Sequence, residues 1–230
     1  MTKPTRKPRS SAQKTRRDFL DAAEEVYCEH GYKGSTIRAI TDRADANLGA
    51  LQYYWGGKRE LFHDLLQQRF QPVHALHLLE LKEIENTTSA SERPNIEKIL
   101  RSLLKLTLAD PEEIDGTEKR PSRKLYSMAM MDPSPIILKE MNNIFNDSIS
   151  LFIKLMRQAL PDLSNSELDW RINCVIGAHI LTLTQQERMF RFFGNETKVD
   201  NKDSTQWVLN FLMNGINAPS QSKPNIKTNN

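Results

Sequence analysis

Apolar residues recur along this chain at intervals of three and four, the period of an amphipathic α-helix. Phe19, Ala22, Ala23, Val26 and Tyr27 form one such stripe and predict a first helix over 11–29. Thr15 with Asp18 makes a capping-box pattern near its start, and Gly31 is placed to stop it. Ile37, Ile40 and Ala44 predict a short second helix with Ser35 as N-cap. Asp45-Ala46-Asn47 reads as a tight turn, after which Asn47 caps a third helix over 48–54 with Leu51 facing inward. Gly56-Gly57 breaks the chain again. Lys58 opens a long helix with Leu61, Phe62, Leu65 and Leu66 on one side.

The same period continues beyond a polar loop at 86–95. Ile96, Ile99, Leu100, Leu103 and Leu104 predict a fifth helix, and residues 110–117 another loop. A sixth helix is expected over 121–131 and must end at Asp132-Pro133-Ser134-Pro135, because two prolines cannot continue it. Ser134 as cap and Pro135 at the first helical position start a seventh, reaching Leu160. An eighth, over about 166–192, takes its cap from Ser164 with Glu167 or from Ser166 with Asp169. A ninth covers 204–217, with Trp207, Val208, Phe211 and Leu212 apolar. No pair of alternating segments is joined by a hairpin signal. The expected class is all-α with about nine helices: a basic disordered arm (1–10), a three-helix helix-turn-helix domain (11–57), a larger helical domain (58–217) and a disordered tail (218–230).

Composition narrows the picture. The 230 residues are 38% hydrophobic and 27% charged, ordinary for a globular protein. No apolar run approaches the roughly 20 residues of a membrane span, and no apolar segment follows the basic N-terminus as a secretory signal requires. Cys28 and Cys174 lie far apart and match no metal spacing, which suits a reducing cytosol. The net charge of +3 is unevenly spread: residues 1–60 hold 12 Lys/Arg against 8 Asp/Glu, the rest 20 against 21. Lys3, Arg6, Lys7, Arg9, Lys14, Arg16 and Arg17 precede the first acid, so the arm is either an electrostatic footprint for phosphate or a solvated tail.

Two short helices joined by a tight turn, behind a supporting helix, make a helix-turn-helix pattern. In that arrangement the second helix enters the DNA major groove, led by its N-terminal residues. Small or polar residues are needed at the tip, and Leu48-Gly49-Ala50 followed by Gln52 and Tyr53 meets the need. Generic helical hairpins share the pattern, however.

The order Thr36-Ile37-Arg38-Ala39-Ile40, Ala44, Asn47-Leu48-Gly49-Ala50-Leu51-Gln52-Tyr53-Tyr54-Trp55-Gly56-Gly57-Lys58 and Leu61-Phe62 resembles the signature of TetR-family transcriptional regulators. Asp21-Ala22-Ala23-Glu24 and His30-Gly31-Tyr32 extend the resemblance over about 15–66. The resemblance implies that Arg38 reaches base or backbone, that Leu48, Gly49, Ala50 and Gln52 face the groove with Asn47 before them, and that Thr36, Tyr53, Tyr54 and Lys58 contact phosphate. A core aromatic is the other reading of Tyr54. Three positions depart from the family pattern. Asp45 stands where Gly is usual, and Asp tolerates the left-handed conformation that this turn requires. Gln52 stands where an aromatic is usual, and its amide can pair bidentately with adenine. Trp55 replaces Phe and should enlarge the packing.

Other residues carry weaker chemistry. His74 and His77 share a helix face with His63 upstream, but no acid or cysteine completes a metal set, so no metal is expected and the pair is read as partly exposed. Glu25 and Glu29 should raise the thiol pKa of Cys28, against a redox role. The methionines cluster in the C-terminal half, and around the Pro-broken corner Met128, Met131, Phe145, Ile149 and His179 are taken as the lining of a mostly apolar ligand pocket, with plain core as the alternative. Gly177-Ala178 and the ninth helix suggest an intersubunit four-helix surface, or else burial within one subunit.

The function this predicts is a cytoplasmic, homodimeric DNA-binding repressor, without cofactor, released from a palindromic double-stranded operator by an unknown small effector. A regulator with no small ligand, controlled by a protein partner or by its abundance, remains open. An enzyme is not expected: no nucleophile–base spacing, metal signature or phosphate loop is present.

Overall fold

A computed structural model describes residues 9–108, 122–184, 194 and 201–220. Nine helices and no strand occur among these residues: α1 (Arg9–Gly34), α2 (Ile37–Arg43), α3 (Leu48–Trp55), α4 (Lys58–Thr87), α5 (Ile96–Leu108), α6 (Arg123–Met131), α7 (Pro135–Ala159), α8 (Asn165–Thr184) and α9 (Asn201–Ile216). The basic segment before Arg9, the 110–117 loop, the end of the eighth predicted helix and the tail beyond Ser220 lie outside the described residues.

The helices fall into two compact units. One consists of α1–α3, α4 as far as Gln71, α6, and α7 as far as Ile144. The other consists of α4 from Pro72, α5, α7 from Phe145, α8 and α9. The expected partition between 57 and 58 is therefore not where the compact units divide: α6 groups with the N-terminal helices. The reason is non-local. Asp132, at the C-cap of α6, accepts the Tyr32 N–H through Oδ2 (3.2 Å) and the Ser134 N–H through Oδ1 (2.7 Å), fastening the α6–α7 corner to the end of α1.

In the first unit the α1 stripe is buried as its period dictates, with Phe19, Ala23 and Tyr27 fully enclosed. Leu61, Phe62, Leu65 and Leu66 of α4 are fully buried as well, and Tyr27 and Tyr32 both stand edge-on to Phe62. Regular helix in α1 is interrupted at Gly31, whose φ of 66° and ψ of 178° no side-chain-bearing residue adopts easily. Trp55 fills its place as a large core aromatic, edge-to-face with Phe19 (5.7 Å). Its indole N–H donates to Asp64 Oδ2 (2.8 Å), which also takes a guanidinium bond from Arg16 (2.6 Å).

The second unit is built on Leu81, Ile99, Leu100, Phe152, Leu155, Leu168, Val175 and Leu209. Asn95 caps α5 by accepting from the Lys98 N–H (3.0 Å), and Ser164 caps α8 by accepting from the Glu167 N–H (3.2 Å), which selects the first of the two capping alternatives. The predicted apolar face of α9 divides: Val208 and Leu212 are buried, whereas Trp207 and Phe211 are exposed.

Candidate nucleic-acid interface

The helix-turn-helix consists of α2, α3 and the turn between them. Its entry differs from expectation by one residue. The N-cap of α2 is Thr36, whose Oγ1 accepts the Ala39 N–H (3.1 Å), and not Ser35. The Ser35 hydroxyl is buried and donates back to the Gly31 carbonyl (2.7 Å), closing the α1 terminus instead. Asp45 adopts φ 47°, the left-handed turn for which an Asp is a workable substitute for Gly. Asn47 then caps α3, with its Oδ1 accepting the Ala50 N–H (2.8 Å), and Gly56 (φ 71°) ends it in the left-handed region. A single buried residue, Leu51, holds the middle of α3 down. Leu48, Gly49, Gln52 and Tyr53 are exposed, Tyr53 to 85%, while Ala50 and Tyr54 are half-buried. The aromatic ladder Tyr53–Tyr54–Trp55, with centroids 5.4 and 5.5 Å apart, runs from this exposed face to the core.

Arg38 extends into solvent with only a 3.9 Å ion pair to Asp42. Arg43 at the end of α2 instead reaches Glu25 (3.0 Å) and Glu29 (2.9 Å) on α1, and this hydrogen bonding holds the Glu29 carboxyl below the usual carboxylate range. Lys58, expected to face phosphate, is half-buried: its ammonium donates to the Tyr32 carbonyl and lies 4.2 Å from the Tyr32 ring centroid. Burial lowers its pKa, with Asp132 opposing.

Sequence reasoning missed the residues that hold α1 against α4. Arg69 is buried and forks its guanidinium onto Glu24 (2.7 Å) and Asp21 (2.6 Å). The signal was present: Arg69 stands four residues from Leu65 and from Val73, an inward position, and Asp21 and Glu24 share the face of α1 opposite it. Asp132 is the other omission. Together with burial, which acts more strongly, its charge raises the pKa of Tyr27.

The Cys28 thiol is pushed up to about 11, chiefly by burial and then by Glu24, so the expected direction holds with a different leading cause. His74 and His77 are buried, not partly exposed. Their positions beside Val73 and Leu81 place them on the inward face of α4. Among the described residues no His, Cys, Asp and Glu group is arranged to hold a metal, and no helix is long and apolar enough to cross a membrane. Of the residues assigned to a pocket, Met128 (half-buried) and Met131 (58% exposed) belong to the first unit. Phe145 and His179 (buried) and Ile149 (half-buried) belong to the second. The exposure of Met131 is a correction to its assignment as pocket lining: as the last residue of α6 it lies off the face that buries Leu125, Tyr126 and Ala129.

Two family patterns match the chain. Residues 19–65 match bacterial regulatory proteins of the tetR family, and 110–215 match the tetracyclin repressor-like C-terminal domain. Among curated relatives, the HTH-type transcriptional repressor AcnR of Corynebacterium efficiens is 32% identical over 54 residues, 24% of this chain and 29% of AcnR. The chain thus spans less than a third of that relative's length. The HTH-type transcriptional repressor BepR of Brucella suis is 26% identical over 161 residues, 67% of this chain and 70% of BepR. Among solved structures, the transcriptional regulator FadR of Bacillus subtilis, in complex with stearoyl-CoA, superposes with a TM-score of 0.54 at 16% identity, covering 86% of this chain and 98% of FadR, and shares its fold. With both the N-terminal and the C-terminal family patterns matched in order along it, the chain belongs to the TetR family of bacterial regulatory proteins.

Proposed function

We propose that this protein is a cytoplasmic transcriptional repressor that binds a palindromic operator as a homodimer and leaves it when a small, mostly apolar effector binds the second unit. The observation that carries the DNA-binding part is the exposed face of α3. Leu48, Gly49, Gln52 and Tyr53 are presented to solvent on a helix capped by Asn47 and anchored by Leu51, the presentation a major-groove reader requires. Gln52 reads a base edge through its amide. Ala50 allows close approach beside it. Thr36, Arg38, Tyr53 and Tyr54 serve the phosphate backbone. Lys58 joins them, because an ammonium has three donors and the Tyr32 carbonyl takes only one.

Pairing through α8 and α9 is supported by large apolar side chains that the described residues leave exposed on them. Trp170 (73% exposed), Leu181, Trp207 and Phe211 lie on these two helices, with open space around Gly177 and Gly215 for a close helix approach. The effector reading rests on the second unit's mixture of aromatic and polar buried side chains, among them Phe145 and His179, with Ile149 half-buried.

Selection of binding sites from random duplexes tests the DNA reading. The wild-type protein is expected to select a two-fold symmetric site. Gln52→Ala should lower affinity by about 1–3 kcal/mol and relax one base pair per half-site. Absence of any selected site, or a Gln52→Ala consensus identical to wild type at every position, would overturn the corresponding assignment.

A further inference from the structure

Among its described residues the second unit buries histidines and no acid. His74 and His77 lie on α4, His179 on α8, and Ser148 on α7, all enclosed. His74 and His77 lie three residues apart on one face of α4, and a charge on His74 opposes one on His77 as a charge on His77 opposes one on His179. The arrangement of His74 is settled by its partner. The Ser148 hydroxyl donates to the Phe145 carbonyl (3.2 Å), so Ser148 Oγ accepts the Nδ1–H of His74 (3.1 Å). His77 is different. It is 1% exposed, its ring lies 6.4 Å from that of Phe152, and neither of its nitrogens has a hydrogen-bond partner. A buried imidazole with both nitrogens unsatisfied is costly, and a fold keeps one where something else is to satisfy it.

We propose that His77, flanked by His74 and His179, receives the headgroup of the effector, and that the effector is an amphipathic carboxylic acid whose apolar chain lies against the aromatic side chains of α7. The proposal rests on the effector-released reading given above. The sign of the headgroup follows from what surrounds His77. On α4 His74 stands three residues before it, on α7 the ring of Phe152 lies 6.4 Å away, and on α8 a charge on His179 would oppose one on His77. Asp147 on α7 is exposed and acts on His74. Among the described residues of this unit the buried polar side chains are the three histidines and Ser148 with Ser102 and Ser204, and none is a carboxylate. A cationic headgroup would therefore find no counter-charge, whereas an anion meets three imidazoles able to accept protons.

The protons balance simply. Burial holds His77 and His179 at about 4, so both are neutral in the unliganded protein at neutral pH. A carboxylate arriving at His77 makes its protonated form favourable, and one proton is taken from solvent as the ligand enters, leaving the buried pair neutral overall. Binding is then tighter at lower pH, by about tenfold per unit across the range in which only the complex is protonated.

Calorimetric titration of the full chain with dodecanoate and with dodecanol, in two buffers of different ionisation heat, is the test. Hexanoate, octanoate and hexadecanoate are run beside them to allow for chain length. The expected result is binding of at least one acid, at least tenfold tighter than its alcohol, with uptake of about one proton. His77→Leu should fold with an unchanged or higher melting temperature, bind acid and alcohol alike, and take up no proton. His77→Gln should restore part of the acid preference without proton uptake. If neither variant folds, histidine proton resonances of the wild-type protein must show an imidazole becoming protonated when the acid binds. Failure of every acid to bind overturns the proposal. So does equal binding of acid and alcohol by the wild type, the result expected if a water satisfies His77, or an acid preference that survives His77→Leu. Operator release is read separately. An alcohol that releases DNA as well as the acid removes only the headgroup assignment, whereas acid bound through His77 with no release of DNA removes only the effector reading.

Discussion

The two units bury polar groups in opposite ways. In the first, the buried charged side chains among the described residues have side-chain partners: Arg69 pairs with Glu24 and Asp21, and Glu140 shares a 2.8 Å hydrogen bond with His63. In the second, the buried polar groups are histidines and serines, held neutral, and His77 is left without a partner. A paired charge in a low-dielectric interior tolerates little displacement, since separating it leaves both ions desolvated. An unpaired neutral imidazole exerts no such restraint and responds to what approaches it.

The largest effect is expected at Arg69. Arg69→Met is expected to lose about 3–5 kcal/mol of stability in urea unfolding, because two carboxylates are left without their counter-charge. Replacing Arg69 and Glu24 together with apolar residues should recover much of the loss. A small loss from Arg69→Met alone would show that the first unit is not fastened through this pair.

Acid should act on the second unit instead. The histidines of an unfolded chain protonate as pH falls below about 6.5, while folded His77 and His179 remain neutral until about 4. The unfolded state thus binds more protons across that window, and stability falls with pH from about 6.5 to 4. At about 1.4 kcal/mol per unit of depressed pKa, each histidine contributes up to about 3 kcal/mol to the decline. The decline of the unfolding midpoint across this range should be smaller in His77→Leu, with the share of His179 left. A wild-type midpoint constant between pH 7 and 5 would contradict neutral burial of these rings.

Smaller effects sharpen the picture of the DNA-reading head. Asn47→Ala removes the α3 cap and is expected to destabilise the first unit by about 1 kcal/mol, read as a shifted unfolding midpoint. Asp45→Gly should alter that midpoint by no more than about 1 kcal/mol, since relief at φ 47° is offset by greater freedom of the unfolded chain.

The helices were legible in the sequence because each rests on a repeated local period, and α3 was legible down to its cap because Asn47 has no competitor. Beside Thr36, Ser35 offered a second hydroxyl, and only the Gly31 carbonyl decides which of the two caps α2. Polar residues at inward positions were the systematic omission. Arg69, His74 and His77 obey the helical period as well as any leucine, but residue type argued for solvent. Trp207 and Phe211 show the reverse, since apolarity along α9 does not say which face its own chain covers. The grouping of α6 with the head was not legible at all, because it depends on the Asp132–Tyr32 bond across 100 residues of sequence.

Trp55 is enclosed in the first unit, clamped by Asp64 and Phe19, whereas Trp170 and Trp207 stand exposed on α8 and α9 in the second. These are all the tryptophans in the chain. The protein consequently carries its own optical reporters, divided by task. Emission from the two exposed indoles moves to shorter wavelength when another surface covers them and is quenched less by dissolved iodide. The shielded indole contributes a nearly constant blue component that changes only if the head comes apart. Covering of the α8 and α9 indoles and loosening of the first unit can therefore be followed separately in unlabelled protein, by one spectrum and its quenching.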